Sequence, residues 1–113
     1  MKIVINKCYG GFSLSEEAIE LYLTKKGLEF SKEKSQHFSL IGYNYFVKGQ
    51  EDWYDRDIDR DDPVLVEVVE VLGEKANGSC ADLKVVEIPD GVDWLVEEYD
   101  GNEWVAEAHR TWG

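Results

Sequence analysis

The side chains that could do chemistry in this chain are few, and their arrangement favours binding over catalysis. The only thiols are Cys8 and Cys80, and the only histidines are His37 and His109. Their separations lack the paired short spacing of a zinc site, and neither cysteine has the sequence context of an activated nucleophile. Carboxylates are too plentiful to single out an acid–base pair. We therefore expect a binding protein rather than an enzyme, with no metal ion and no cofactor.

Four aspartates alternate along residues 55–61, which suggests a calcium loop at first sight. An EF-hand loop that begins at Asp55 needs glycine at its sixth position and glutamate at its twelfth. Those positions hold Arg60 and Val66. We therefore predict that these acids mark a strand end and a helix start, and that Arg56 and Arg60 neutralise part of their charge.

Aromatic rings and arginines provide the candidate ligand-binding groups. Trp53 and Tyr54 lie beside Arg56 and Arg60 in the sequence. Rings and guanidinium planes together make stacking platforms for nucleobases. Arginines also bind phosphates.

Two adjacent glycines, Gly10 and Gly11, stand between Tyr9 and Phe12. A glycine turn between a strand and a helix N-terminus allows backbone contact with a phosphate or ribose. The motif is neither a dinucleotide fingerprint nor a Walker loop. A tight turn without any ligand therefore stays an alternative.

Arg110 is the leading candidate because it is one of three arginines and lies between His109 and Trp112. A guanidinium can hold a phosphate with two parallel hydrogen bonds while a neighbouring ring stacks on the base. The alternative is that Arg110 pairs with a surface glutamate and that Trp112 packs the tail onto the sheet. The full candidate set is Tyr9, Gly10, Gly11, Phe12, Arg56, Arg60, Asn77, His109, Arg110 and Trp112.

Two helices that would position these groups are predicted at about 13–26 and 62–76. Either Ser13 or Ser15 can cap the first helix. The second begins with an aspartate cap, Asp61 or Asp62, and Pro63, which suits the first turn of a helix. Both carry apolar residues at helical spacing.

Strands are predicted for Met1–Cys8, 43–47 and 53–58, whereas the polar stretch 28–42 reads as a loop. Towards the C-terminus, three apolar runs at 83–88, 94–99 and 102–106 are separated by turn signals. These runs predict a three-stranded antiparallel meander. The expected fold is therefore α+β, a single domain of residues 1–113 with an antiparallel or mixed sheet and two main helices.

The Asp100-Gly101 dipeptide predicts a type I′ hairpin, and a two-residue turn fixes the register of its strands. Glu98 then faces Glu103, a like-charge pair that we place at the solvated end of the hairpin. The complete register pairs Tyr99 with Asn102, Glu98 with Glu103, Glu97 with Trp104, Val96 with Val105 and Leu95 with Ala106.

The charge of the chain limits its partners. The net charge is −12, and the acids are concentrated in residues 51–113. Binding to duplex nucleic acid needs clustered lysine and arginine, so we do not expect it here. No apolar run approaches the roughly 20 residues of a membrane span. We expect a cytosolic protein that binds no membrane, and at least a homodimer, because helix 62–76 and both hairpin faces are apolar.

Three strings together carry a resemblance: KIVINKCYGGFSLSEEAIELY, DRDDPVLVEVVEVLGEKANG and LKVVEIPDGVDWLVEEYDGNEWVAEAHRTW. The chain resembles a family of small acidic proteins of tailed phages and prophages, and within it looks most like the first type of Thoeris anti-defence protein. The resemblance implies a non-enzymatic, oligomeric sponge in the cytoplasm of the infected bacterial host. Such a sponge captures cyclic ADP-ribose isomers or cyclic oligonucleotides without cleaving them.

Two other functions stay open. An acidic phage protein could mimic the charge of nucleic acid and inhibit a host protein that binds DNA or RNA. It could also be a small virion or assembly component, for which no residue speaks either way. The mimic requires acids over one exposed face, whereas the sponge requires a cleft with aromatic rings and arginine.

Overall fold

The computed structural model describes residues 1–34 and 43–107 and has the predicted α+β architecture. Its strands are β1 (Lys2–Asn6), β2 (Phe30–Lys34), β3 (Tyr43–Val47), β4 (Leu83–Glu87), β5 (Trp94–Tyr99) and β6 (Asn102–Glu107). Its helices are α1 (Glu16–Lys25) and α2 (Pro63–Leu72), with short 3-10 turns at Asp55–Asp57 and Gly73–Ala76.

Both predicted helices are confirmed, and their caps are now decided. Ser15 caps α1, because its hydroxyl accepts a hydrogen bond from the Ala18 N–H at 3.1 Å. Asp62 caps α2, and its carboxylate accepts the N–H of Val64 at 2.8 Å. The α2 helix ends at Gly73, whose φ of 57° lies in the left-handed region.

The three C-terminal strands form as predicted, but they do not join into one meander. In the described residues, β4 pairs with β1, and β5 pairs only with β6, always antiparallel. The reason is β1, whose buried residues Ile3 and Val4 lie beside Val86 and Val85. The amino group of Met1 also contacts Asp90, in the turn after β4, at 2.7 Å. Local turn signals cannot reveal a partner strand that is about eighty residues away.

Two further predictions were wrong around β2 and β3. Residues 30–34, read as part of a loop, form β2 and pair with β3. Four of the five β2 residues are exposed, so the strand has no apolar alternation to detect. Residues 53–58, read as a strand, contain a 3-10 turn instead, and the carboxylate of Asp55 accepts the Leu14 N–H at 2.9 Å. Aspartate favours such local bonds over a strand ladder.

The core lies where α1 and α2 pack against each other and α2 packs against β1. Its centre is fully buried and aliphatic: Val4 from β1, Ala18 and Leu23 from α1, and Leu65 and Val68 from α2. This arrangement leaves the β5–β6 hairpin as an outer element of only two strands.

The hairpin turn docks on the glycine pair near the N-terminus. Asp100 and Gly101 both have positive φ, 49° and 90°, as the predicted type I′ turn requires. The Gly10 N–H donates to the Asp100 carbonyl at 3.0 Å. A Cβ added at Gly101 would lie 2.2 Å from the Gly11 nitrogen. Close backbone packing therefore explains Gly101, whereas Gly10 is required by the neighbouring Cys80, 2.8 Å from an added Cβ, and Gly11 by its left-handed φ of 101°.

We expect Gly101→Ala to lower the free energy of unfolding by roughly 1–3 kcal/mol more than Gly91→Ala. Gly91 is the matched control, because its φ of 81° is also left-handed but nothing lies within 4 Å of an added Cβ. Urea denaturation of the two variants measures the difference. Equal stabilities would contradict the tight docking of the turn.

Candidate functional site

Arg60, predicted to bind a ligand, is instead held inside the protein. Its two terminal nitrogens bind the two carboxylate oxygens of Glu103, with Nη2 2.9 Å from Oε2. The guanidinium carbon lies 3.8 Å from the centroid of the Phe12 ring, and Nη1 also approaches the Val4 carbonyl at 3.4 Å. The Arg60 side chain is only 18% exposed. Both terminal nitrogens and one face of the guanidinium are therefore already used.

The prediction that Glu98 and Glu103 both lie at a solvated end of the hairpin was wrong for Glu103. The register is confirmed, and Glu98 does face Glu103, but Glu103 is only 7% exposed rather than solvated. It is buried because Arg60 and the Asn6 N–H, at 2.8 Å, both bind its carboxylate. Glu98 is exposed and accepts the Gly101 N–H at 2.8 Å. The two glutamates therefore have different roles on one face of the hairpin.

Asn6 is a structural residue that sequence reasoning missed. Its side chain is fully buried and donates to the carbonyls of Cys8 and Gly101, both at 2.7 Å. Its amide oxygen accepts the Asp82 N–H at 2.8 Å. The only sequence signal is a polar residue that ends the apolar run of β1. Asn6 connects β1 to the hairpin turn and to the segment before β4.

Gly10, Gly11 and Asn77 also have structural roles. The Gly10 N–H already binds Asp100, and the glycine pair is separated from α1 by residues 12–15, so it does not present a helix N-terminus to a ligand. The Asn77 amide oxygen accepts the Leu83 N–H at 2.8 Å.

The remaining candidates fall into three groups. Tyr9 is 64% exposed, and Phe12 lies under Arg60. His109, Arg110 and Trp112 lie outside the described residues. Arg56 is exposed and stacks on Tyr54, with its guanidinium carbon 4.6 Å from the ring centroid. Of the predicted residues in the described ranges, Arg56 is thus the arginine that can still reach a ligand.

Tyr54, on which Arg56 stacks, lines an open cavity of about 360 Å³ that we call the aromatic cleft. Strand β3 supplies one wall of this cleft. Beyond β3 the chain turns back through Asp52, which has a left-handed φ of 51°, and the following residues form the opposite wall. The lining groups that matter here are Tyr45, Phe46, Asp52, Trp53, Tyr54 and Asp55.

Two aromatic rings of the cleft, those of Phe46 and Tyr54, are accessible to a ligand. Phe46 is 51% exposed and Tyr54 is 46% exposed, although both are large apolar rings. The sequence analysis proposed Trp53 and Tyr54 for stacking. Strand β3, which faces them, was missed as part of the site, because only the folded chain brings it there.

A second cavity, of about 530 Å³, adjoins the first and is acidic. In its wall, Asp62 accepts a hydrogen bond from the Tyr22 hydroxyl at 2.7 Å and forms a salt bridge with Lys26 at 3.0 Å. Burial disfavours the ionised form of Asp62, but these bonds outweigh it and lower its pKa. Burial, together with the bond to Asp62, raises the pKa of Tyr22. This cluster therefore holds α1 against the start of α2.

Two negative findings apply to residues 1–34 and 43–107. No group of three or more histidine, cysteine, aspartate or glutamate side chains there could hold a metal ion. No helix in these ranges is long and apolar enough to cross a membrane.

Comparison with known proteins adds no relative. No protein-family model matches the chain, and no curated protein or solved structure is significantly similar to it. The function must therefore be argued from the site itself and from the resemblance of short motifs.

We expect Arg60→Met to destabilise the fold by about 3–5 kcal/mol, because it leaves the Glu103 carboxylate buried without its partner. Arg56→Met is the matched control, and it should change stability by less than about 0.5 kcal/mol because Arg56 is exposed. Chemical denaturation of both variants tests this. If Arg60→Met is as stable as the wild type, Arg60 is not a structural residue and returns to the list of ligand-binding candidates.

Proposed function

We propose that this chain is a phage or prophage anti-defence protein that captures a cyclic nucleotide or cyclic ADP-ribose-type messenger without cleaving it. Two considerations support the proposal. The motifs at both ends of the chain resemble a family of messenger sponges, and the aromatic cleft offers a place for a base. Capture alone keeps the messenger from its effector, so no catalytic group is required.

The aromatic cleft is the observation that carries the proposal. Its volume lies within the range of about 300–1,000 Å³ that is typical of small-molecule sites. Stacking of a base on an aromatic side chain is worth about 1–3 kcal/mol and tolerates any base. Phe46, Trp53 and Tyr54 provide such surfaces. Arg56, stacked on Tyr54, places a guanidinium beside the cleft, where a phosphate can be bound by charge-assisted hydrogen bonds.

We expect calorimetry to detect binding of a cyclic ADP-ribose isomer or a cyclic dinucleotide, and chromatography after heat denaturation to recover the ligand intact. Arg56→Ala and Arg110→Ala should each weaken binding about ten- to a hundredfold, with little change in Tm, because each loses a charged hydrogen bond. Lys84→Ala, on the exposed side of β4, is the control cation.

Two results would contradict this proposal. If no such messenger binds the wild-type protein, the sponge function is wrong. If the messenger is recovered cleaved, the protein is an enzyme. If the messenger binds and Arg110→Ala binds equally well, only the assignment of Arg110 is wrong.

The same proposal includes self-association through the outer face of the β5–β6 hairpin. Leu95, Tyr99 and Trp104 lie on this face with exposures of 38%, 67% and 41%. The face carries one carboxylate, Glu97, which accepts a hydrogen bond from the Trp104 indole at 3.1 Å. In a chain of charge −12, two copies repel each other least where a face is nearly uncharged. A second copy is therefore the occupant that we propose.

We expect light scattering at micromolar concentration to give at least a dimer mass for the wild type, and a monomer mass for Leu95→Glu. Val71→Glu is the control, since Val71 on α2 is 65% exposed and lies on another element. It should leave the mass unchanged. A monomeric wild type would contradict self-association, and a monomeric Val71→Glu would move the interface to α2.

Nucleic-acid mimicry is the second candidate, and one observation favours it. Because Arg60 binds Glu103, it does not neutralise the aspartates around it, and Asp57, Asp59 and Asp61 are exposed. A salt-sensitive complex with a basic host protein, together with no binding of any messenger, would favour this function over the sponge.

A further inference from the structure

The aromatic cleft differs from a phosphate site in the sign of its charge. Among the described residues that line it there are two carboxylates, Asp52 and Asp55, and neither a lysine nor an arginine. A phosphate placed among them would be repelled at short range. We propose that the cleft itself binds an organic cation, such as an N-alkylated ring nitrogen or a quaternary ammonium. This inference rests on the proposed function in one respect: it assigns the cationic group to the base of the captured messenger.

The rings supply the first half of the attraction. The faces of aromatic rings carry negative electrostatic potential and attract cations within about 6 Å. Tyr54 already uses one face in this way, since the Arg56 guanidinium lies 4.6 Å from its centroid. Phe46 and Trp53 line the same cleft. Sites that select quaternary ammonium groups are built from aromatic side chains in this manner.

A fixed negative charge supplies the second half. The Asp55 carboxylate accepts two backbone N–H groups, from Leu14 at 2.9 Å and from its neighbour Arg56 at 3.1 Å. These bonds hold the carboxylate in place before a ligand arrives, so little ordering is needed on binding. Asp52 lines the cleft from a left-handed backbone conformation, which is uncommon for a residue other than glycine. Its carboxylate adds a second charge of the same sign.

In this arrangement the cationic base and the phosphates of a messenger bind at different places. The cationic ring enters the cleft beside the aromatic side chains and the carboxylates, where a neutral ring would gain stacking but no charge attraction. The phosphates remain outside the cleft, where the Arg56 guanidinium stacks on Tyr54 and can bind them. The cleft thereby discriminates by charge as well as by shape.

The test compares cations with neutral molecules of the same shape. Choline is paired with 3,3-dimethylbutan-1-ol, and 1-methylnicotinamide is paired with nicotinamide. Each is titrated into the full-length protein at low ionic strength and followed by calorimetry and tryptophan fluorescence. We expect each cation to bind at least about tenfold more tightly than its neutral counterpart, as expected for a partly desolvated cation–π contact.

Variants locate the binding. Asp52→Asn and Tyr54→Leu should each weaken cation binding about three- to tenfold and leave the neutral molecules unaffected or nearly so. Asp93→Asn is the control, because it removes the same charge from an exposed position outside the cleft. Far-ultraviolet circular dichroism confirms that each variant folds. If Asp93→Asn weakens cation binding as much as Asp52→Asn, the cation binds the general acidic surface and the inference is overturned.

The outcomes separate this inference from the proposed function. Cation binding that depends on Asp52, without binding of any messenger, supports the cation site and contradicts the sponge. Messenger binding with equal affinities for choline and its neutral counterpart supports the sponge and overturns the cation site. Failure of both cations to bind also overturns it.

Discussion

The ion pair between Arg60 and Glu103 is the interaction on which the rest of the structure depends. Removing two charges from water is costly, and a buried pair is tolerated only when further hydrogen bonds complete it. Here the Asn6 N–H donates a further hydrogen bond to the Glu103 carboxylate, and the Phe12 ring covers the Arg60 guanidinium. The Val4 N–H donates to the Arg60 carbonyl at 2.8 Å, so backbone and side chain of this arginine are both fixed. Strand β1, the start of α2 and the hairpin meet at this pair.

The pair also decides which residues remain for function. In the sequence, Arg60 stands among aspartates and beside two aromatic residues, so its charge seemed to be available to a ligand. The aspartates nearby are exposed, and the partner of Arg60 is a glutamate that lies 43 residues away. Once Arg60 is committed to the fold, Arg56 is the arginine in the described ranges that borders a cleft. The candidate site therefore shifts from the glycine pair to the β3 side of the molecule.

What could be predicted from the sequence was local. Helix caps and tight turns depend on residues only a few positions apart. The structure confirms the predicted cap positions, with Ser15 and Asp62 as the caps, and the register set by the Asp100-Gly101 turn. The partner of β4 and the existence of β2 could not be predicted, because the first depends on a distant strand and the second lacks an apolar alternation. For the same reason, the sequence could not show that Arg60, Gly10 and Asn77 already make hydrogen bonds within the fold. The sequence identifies side chains able to bind a nucleotide, but not which of them the fold has already used.

Charge links the fold, the candidate site and the proposed assembly. A chain of charge −12 can hold an anionic messenger only where its carboxylates point elsewhere or are paired. The fold pairs Glu103 internally, and it places Asp55 in the lining of the aromatic cleft, where its carboxylate accepts the Leu14 N–H. Such a cleft suits the cationic part of a ligand and leaves its phosphates to arginines at the edge. Because the described ranges leave only Arg56 beside this cleft, a messenger with two phosphates needs a further donor. We propose Arg110 or a second copy as the source of that donor, which would tie the proposed capture and the proposed self-association to the same shortage of positive charge.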